Sequence, residues 1–451
     1  MDPWLAWVCV VAVLVPLVAV AVVSMAVGEP RGAGWPRLAA DVAGALAPTV
    51  GDGEETSAAG PFDVNRRLLE SFDAFERRLE DGSPLLAVTL PVAQRLFLAL
   101  GLGNEDVIPG HGDAGEGWLL YGPGLDHVLG PPFLDPAVLE RRRRSGPSWR
   151  PPPQPDPLPA LLDFHRQLTD RGIDLVVVPT PTKAMLHPGI LAPSLEVGGE
   201  PVGGLLNPSF AEWRERLETA GIMVFDPLDT LRALRRSGAP AFLRSDSHWS
   251  PEAVGAVAAA LAAELRSGFR GLPPRRPRWQ QRRLRVEGTG DLARMLEAPG
   301  HRRPQGDPPP ALSTAGTAEE VEILAVEGVD GRLWRPRRGA PVLVLGDSYT
   351  NVYSEAALGW GSGAGLAEQL AFHLGLAVDR LAINDGSATA VRERLALEAA
   401  EGRDRLVGSR VVVYQIAVRE LSFGDWRLVD LDSGTQKGPE ADGAPGVVAR
   451  D

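Results

Sequence analysis

The sequence predicts an α/β protein built on a parallel sheet flanked by helices, with an N-terminal transmembrane helix ahead of it. Three observations carry that expectation. Between residues 158 and 416, short apolar runs alternate with stretches of helical length and period, the rhythm of βαβ units. The runs are apolar at successive positions rather than at every second one, as strands buried on both faces require. The segment from Trp4 to Val27 carries no charge, over a length exceeding the ~20 residues that cross a bilayer as a helix.

Taken in order, residues 1–28 form a membrane anchor or a signal. Pro16 is tolerable in a membrane helix, and Ala26-Val27-Gly28 is a weak cleavage site. Asp2 precedes the apolar run while Arg31 and Arg37 follow it, so loop charge does not set its orientation. Residues 29–60, rich in Gly, Pro, Ala and acids, read as a flexible tether. One domain is expected over 61–430. It opens with a helical stripe at Leu68, Leu69, Phe72, Phe75 and Leu79 and a short strand or hairpin ending at Tyr121.

After a Pro-rich loop at 151–159, a helix runs from Leu158 to Asp170 and is stopped by Gly172. Strands follow at Ile173–Val178, Ile222–Phe225, Val342–Leu345, Val378–Ile383 and Val411–Ile416, with helices near 211–219, 251–266, 362–375 and 389–400. A Pro- and Arg-rich insertion is expected at 268–312, and a disordered, acidic tail at 431–451.

The formal net charge of -12 disfavours nucleic acid as a partner, because phosphate binding needs a basic surface. The single cysteine, Cys9, permits neither an internal disulfide nor a cysteine zinc site. His165, His187 and His373 lack ligand partners at metal-binding spacing and read as packing residues. Arg141 to Arg144, with Arg275, Arg276, Arg278, Arg282 and Arg283, would suit either a groove for an anionic polymer or a solvated face.

Two segments carry chemistry. Val342 to Leu345 runs directly into Gly346-Asp347-Ser348-Tyr349, which places a serine hydroxyl beyond the carboxyl end of a sheet strand, where open α/β sheets bind ligands. Upstream, Arg244-Ser245-Asp246-Ser247-His248-Trp249 precedes a helix with Ser250 at its N-cap and Pro251 in its first turn. In an extended stretch, residues i and i+2 share a side, so the Asp246 carboxylate reaches the His248 imidazole and sets its tautomer. A serine needs such a base and orienting acid to act as a nucleophile.

Asp-x-His-Trp upstream of strand-Gly-Asp-Ser-Tyr resembles the alginate O-acetyltransferase family, the SGNH-hydrolase-like acetyltransferases of bacterial exopolysaccharide modification. Other segments agree in order: Glu116 to Leu119 with Tyr121, Val178 to Lys183, Gly290 to Leu296, and Val413-Tyr414-Gln415 leading to Arg419-Glu420-Leu421. The resemblance spans roughly 65–425 and implies an SGNH-hydrolase-like sheet of the membrane-anchored type. It implies Ser348 as nucleophile, His248 as base and Asp246 as its orienter. A carboxylate often found before the final Arg-Glu is replaced here by Gln415. Ile383-Asn384-Asp385-Gly386-Ser387 resembles the family's Gly-rich turn and the oxyanion block of SGNH hydrolases. Asn384 and Gly386, with Tyr349 and Lys183, are the candidates for oxyanion or substrate contacts.

The implied function is transfer of acetyl groups, through a serine acyl-enzyme, to hydroxyls of an exported polysaccharide. It uses no cofactor and no metal. The partners implied are the polysaccharide acceptor and a multi-spanning membrane acyltransferase that supplies acetyl, at the cell inner membrane with the catalytic domain facing the periplasm or cell exterior. An SGNH-type carbohydrate esterase, or a non-catalytic subunit of an exopolysaccharide export complex, are the alternatives that the same residues leave open.

Overall fold

A computed structural model describes residues 106–432, apart from 111–116, 147–150, 198–199, 202–204, 270 and 297–317. The expected membrane helix, the tether, the stripe at 65–79 and nearly all of the tail lie outside the described residues. Among the described residues, no helix is long and apolar enough to cross a membrane. Apart from Met295 and Leu296, they belong to one compact unit, residues 105–294 and 312–451.

The chain opens with the antiparallel pair β1 (Val107–Pro109) and β2 (Leu119–Tyr121). Helices α1 (Gly122–Leu129), α2 (Pro136–Arg144) and α3 (Pro157–Asp170) lead to β3 (Asp174–Thr180) and the single turn α4 (Lys183–Leu186). A small ribbon, β4 (Glu196–Val197) and β5 (Glu200–Pro201), precedes α5 (Phe210–Thr219), β6 (Met223–Val224), α6 (Leu228–Arg236) and α7 (Pro251–Gly268). Next come β7 (Trp279–Gly288), α8 (Asp291–Met295) and β8 (Glu319–Gly328). The chain then forms β9 (Val342–Gly346), α9 (Ser348–Asn351), α10 (Leu366–Leu374), β10 (Val378–Ala382), α11 (Ala390–Ala400), β11 (Val411–Ala417) and α12 (Glu420–Phe423).

Five strands form one parallel sheet in the order β10-β9-β11-β3-β6. All five are the strands that the apolar runs predict. Their alternate residues point to opposite faces, and both faces are covered. Leu175, Val177, Leu343, Leu345, Val412 and Tyr414 join one cluster, into which α3, α5 and α11 pack. Val176, Val178, Val342, Val344, Val411 and Val413 join a second cluster with the carboxyl-terminal half of α7 and with α10. This explains why the runs 175–178, 342–345 and 411–413 are apolar at successive positions rather than alternating, whereas the edge strand β10 carries Asp379 and Arg380.

Within the expected insertion at 268–312, residues 279–288 enter a ten-residue antiparallel ribbon in which β7 pairs with β8 from Trp279↔Gly328 to Gly288↔Glu319. The ribbon explains the arginines of β7. Arg282 pairs with Glu327 and Arg283 with Glu322 across the strands, so these two do not form an open basic groove. Arg142 likewise turns inward, donating to the carbonyls of Pro155 and Gly424.

Candidate active site

Ser348 stands where β9 ends and α9 begins, and the turn is built by its neighbours. Asp347 caps α9: its Oδ1 accepts the N–H of Tyr349 at 2.9 Å, and its Oδ2 accepts the N–H of Ala417 at 3.1 Å. The turn that carries Ser348 is thereby tied to the end of the adjacent strand β11. Gln415, fully buried on β11, accepts from the Asp347 N–H at 3.1 Å and from the Thr350 hydroxyl at 2.8 Å, and donates to Thr180 at 3.0 Å. Its amide therefore fills a structural role with both ends satisfied. A Cβ on Gly346 would lie 2.1 Å from Thr350 Oγ1 and 2.7 Å from Gln415 Oε1, so the turn requires glycine.

The second segment, residues 244–250, is held on both sides by carboxylates. Glu319 accepts from the N–H groups of Arg244 and Ser245 and from the Ser245 hydroxyl. Asp291 accepts from the N–H of Ser247 at 2.6 Å and from its hydroxyl. Ser250 caps α7 by accepting the N–H of Ala253 at 3.1 Å, which leaves Asp246 available for the imidazole. Asp246 Oδ1 lies 2.6 Å from His248 Nδ1 and also accepts the His248 N–H at 2.9 Å. Its Oδ2 accepts from the Asp291 N–H at 2.9 Å and from the indole of Trp360 at 2.7 Å. With its carboxylate oxygens occupied in this way, Asp246 cannot easily turn away from the ring.

The two segments meet through aromatic residues. The phenol of Tyr349 donates to the Ser247 carbonyl at 2.9 Å, the indole of Trp249 donates to the Tyr349 carbonyl at 3.0 Å, and the phenol of Tyr353 donates to the Trp249 carbonyl at 2.8 Å. The rings of His248 and Tyr349 lie 4.9 Å apart. The imidazole thus packs on the residue that follows Ser348. Among the described residues, His248 Nε2 is buried without a hydrogen-bond partner, so the imidazole is held through Nδ1 alone.

Burial alone would lower the His248 pKa, but the Asp246 charge and hydrogen bond, with a further contribution from Asp291, shift it upward. Asp246 shows the reciprocal balance: burial would raise its pKa, and His248 together with Trp360 hold it well below the usual carboxylate range. Asp291 is raised by burial and by the nearby Asp246 charge. Ligand atoms of Asp246, His248 and Asp291 lie within 4.8 Å of one another, close enough for a cation. However, all four carboxylate oxygens already accept protein N–H or O–H groups. The set is a hydrogen-bonded cluster rather than an open coordination sphere.

The remaining sequence candidates take varied places. The single hydroxyl donor of Tyr349 is engaged by Ser247, and its main-chain N–H by Asp347. Lys183 is buried with Nζ donating to the carbonyls of Leu119 at 2.6 Å and Arg244 at 3.1 Å, and burial lowers its pKa to about 8. It joins β2 to the loop bearing His248. The Gly386 N–H donates to the Ile383 carbonyl at 3.0 Å. Asn384, exposed at the end of β10, accepts from Asn351 Nδ2 at 3.0 Å through its carbonyl oxygen, an orientation that leaves its own amide N–H groups pointing elsewhere. Asp385 beside it adopts a φ of 57, a left-handed conformation uncommon outside glycine.

Sequence reading did not assign Trp360, Glu319 or Asp291 to the site. Asp291 sat inside a recognised segment without a role. Trp360 had one usable signal: it is flanked by Gly359, Gly361 and Gly363, all at positive φ, as a tight loop presenting one large side chain requires. The β7–β8 ribbon supports that loop, since the Val326 N–H donates to the Gly363 carbonyl at 2.7 Å. The insertion between the two catalytic candidates therefore helps to hold the acid.

Residues 148–386 match the family described as SGNH hydrolase-like domain, acetyltransferase AlgX, a stretch that includes Asp246, His248 and Ser348. A 102-residue stretch is 38% identical to the probable alginate O-acetylase AlgJ of Pseudomonas aeruginosa, covering 23% of this chain and 24% of that protein. The aligned stretch thus spans about a quarter of that relative's length. Among solved structures, the O-acetyltransferase domain of Pseudomonas putida AlgJ has a TM-score of 0.48 at 18% identity, over 70% of this chain and 92% of that one. Pseudomonas aeruginosa AlgX has a TM-score of 0.44 at 16% identity, over 69% and 61% respectively.

Proposed function

The chain belongs to the AlgX/AlgJ family of SGNH hydrolase-like alginate O-acetyltransferases, and from that premise we propose that it carries an acetyl group on Ser348 and transfers it to hydroxyls of an exported polysaccharide. One observation carries the reading: Asp246 and His248 are paired at 2.6 Å, with His248 Nε2 buried and, among the described residues, unpartnered beside the residue that follows the serine. That arrangement is a base with its tautomer set and its accepting nitrogen unused.

In the proposed reaction Ser348 Oγ attacks the carbonyl carbon of an acetyl donor and its proton passes to His248 Nε2. The tetrahedral intermediate collapses, the donor's leaving group takes that proton, and acetyl-Ser348 remains. A sugar hydroxyl then gives its proton to Nε2 as its oxygen attacks the acetyl carbon, and Ser348 leaves with the proton returned. The Ser348 N–H at the start of α9 and the amide of Asn384 support the oxyanion, with Gly386 shaping the turn that holds Asn384. Tyr349 and Lys183 act as positioning residues, because their polar heads hold the backbone of the two active segments.

The donor is a separate multi-spanning membrane acyltransferase. The apolar segment 4–27 anchors the chain in the inner membrane, with the catalytic domain on the periplasmic or outer side. The length of that run and the family relationship support this placement.

The test uses the purified full-length chain in detergent with an activated acetyl ester and candidate oligosaccharides. The expected results are an acetyl adduct on Ser348, seen by mass spectrometry, and acetylated sugar that forms faster than free acetate. Rapid acetate release from an acetylated glycan, with no acetylated sugar from any acceptor, makes the protein an esterase. If Ser348→Ala changes nothing, the chain is a non-catalytic subunit.

A further inference from the structure

Asn351 and Gln415 are both buried amides beside the Ser348 turn, and they differ in how they are satisfied. Gln415 has partners at both ends. Asn351, the last residue of α9 and only 1% exposed, donates through Nδ2 to Asn384 Oδ1 at 3.0 Å and to the Ala382 carbonyl at 3.5 Å. Among the described residues, its Oδ1 is buried with no donor facing it. A buried acceptor left unpaired is destabilising, and an apolar side chain of similar size would fill the same space without that cost. Its two donations, not its packing, account for an asparagine here.

Those donations form a chain of orientation. A main-chain carbonyl can only accept, so Ala382, at the end of β10, requires the NH2 end of Asn351. The same NH2 reaches Asn384, which must answer with its own carbonyl oxygen. The Asn384 NH2 is thereby left on the side of its amide away from Asn351. The main chain there is set separately: the Gly386 N–H closes the turn on the Ile383 carbonyl at 3.0 Å, and Asp385 holds its left-handed φ of 57. Asn384 is exposed, and the terminal torsion of an asparagine is broad and roughly two-fold. The bond from Asn351 selects one of the two amide orientations.

Strand register brings this turn to the serine turn. Ala382 pairs with Gly346 on the neighbouring parallel strand β9, and the Ile383 N–H donates to the Gly346 carbonyl at 3.0 Å. Asn384 and Ser348 each stand two residues beyond that pair. They therefore lie past the carboxyl ends of strands ~4.8 Å apart, where an open sheet receives its ligands.

We propose that Asn351 is a positioning residue that presets the Asn384 amide, NH2 outward, to donate to the oxyanion formed as Ser348 is acylated. The inference rests on the reading of Ser348 as nucleophile and Asn384 as oxyanion donor given above, and it adds the group that makes the donor preorganised. It holds whether the acetyl group passes on to a sugar or to water.

The experiment follows acylation alone. Purified full-length protein in detergent is mixed with para-nitrophenyl acetate; the burst of nitrophenol gives the rate, and mass spectrometry locates the acetyl adduct on Ser348. Asn384→Ala, at an exposed position, should lower the maximal acylation rate about 10²- to 10³-fold, the loss of one oxyanion donor, with the half-saturating ester concentration and the melting temperature little changed. Asn351→Asp presents an acceptor, so Asn384 must turn its NH2 inward, and a loss of the same order in maximal rate is expected. Asn351→Ala frees the Asn384 amide to sample both orientations and should give an intermediate loss. The double variant decides: Asn351→Asp added to Asn384→Ala should slow acylation no further, because the donor that it orients is already gone. A merely structural Asn351 would multiply the two losses. Multiplied losses, or acylation at the unaltered rate by Asn384→Ala or Asn351→Asp, overturn the proposal. If Asn351→Asp does not fold, Asn351→Ala takes its place in the same cycle. An unaltered protein that forms no adduct on Ser348 removes the nucleophile and this inference together. An adduct that passes acetyl only to water removes the transferase reading and leaves this one standing, whereas an adduct formed equally fast by Asn351→Asp does the reverse.

Discussion

The indole of Trp360 donates a 2.7 Å hydrogen bond to the Asp246 oxygen that faces away from the His248 ring. The other oxygen faces Nδ1, and the N–H groups of His248 and Asp291 complete the shell. The acid is thus fixed by three partners from distant parts of the chain or its own backbone, and its orientation sets which imidazole nitrogen is left to accept a proton.

Trp360→Phe should therefore weaken the relay without removing a reacting group. Loss of one bond to a charged acceptor, about 1.5–3 kcal/mol, should lower kcat/KM by roughly tenfold or more and lower the melting temperature. Steady-state kinetics and a thermal melt check it; a variant unchanged in both shows that the indole does not support Asp246.

Asp246→Asn should be far more severe. An amide in that position must turn either its NH2 toward His248 Nδ1, stabilising the wrong tautomer, or toward the donors Trp360 and Asp291. A fall in kcat on the order of 10⁴-fold is expected, with the fold retained by circular dichroism. Ser348→Ala should abolish acetyl transfer at an unchanged melting temperature, because a small side chain at a helix start contributes little packing.

Activity should rise with pH through the His248 titration, since only the neutral imidazole accepts a proton. The net upward shift from Asp246 and Asp291 places the acid limb of kcat/KM above the ordinary histidine value of ~6.5. Asp291→Asn removes one of these charges and should move the limb downward; Arg419 opposes the shift and stays in place. For stability the sign runs the other way. A raised folded-state pKa stabilises the fold fully below the unfolded value, and that contribution is lost as pH rises through the folded one. A pH–rate profile for both proteins is the measurement, and coincident limbs would refute the electrostatic assignment.

Gly346→Ala should destabilise the nucleophile turn. Its Cβ would lie 2.1 Å from Thr350 Oγ1 and 2.7 Å from Gln415 Oε1; the two are buried and bonded to each other, and Gln415 also to Asp347 and Thr180, so neither can yield without breaking a hydrogen bond. Overpacking of about 1–3 kcal/mol is expected, read as a lower midpoint in urea together with reduced activity. An unaltered midpoint would show that the turn has room.

Topology is open to a reporter. Alkaline phosphatase fused after Asp451 should be active in cells if the catalytic domain faces the periplasm or exterior. An inactive phosphatase fusion beside an active cytoplasmic reporter at the same residue rejects that placement.

The pattern of residues by itself determined the sheet and the Asp246–His248 pair. Runs such as Leu175–Val178 and Val342–Leu345 are apolar at every position because both faces of the sheet are covered, and that requirement acts residue by residue along a strand. The Asp246–His248 pair was legible for a similar reason, since two positions in one extended stretch share a side and their contact needs no distant partner. Only the tertiary structure decided what surrounds them. Asp291 and Trp360 reach Asp246 across 45 and 114 residues, and Tyr349 reaches Ser247 across 102. No periodicity marks such contacts, because they depend on which loops the packed helices and the β7–β8 ribbon bring to one edge of the sheet. The same holds for Lys183 and Arg419. Residue type gives each a charge, yet folding places one on two main-chain carbonyls and the other over two tyrosine rings. A side chain's chemistry is carried by its residue type, whereas its partners are set by the path of the whole chain.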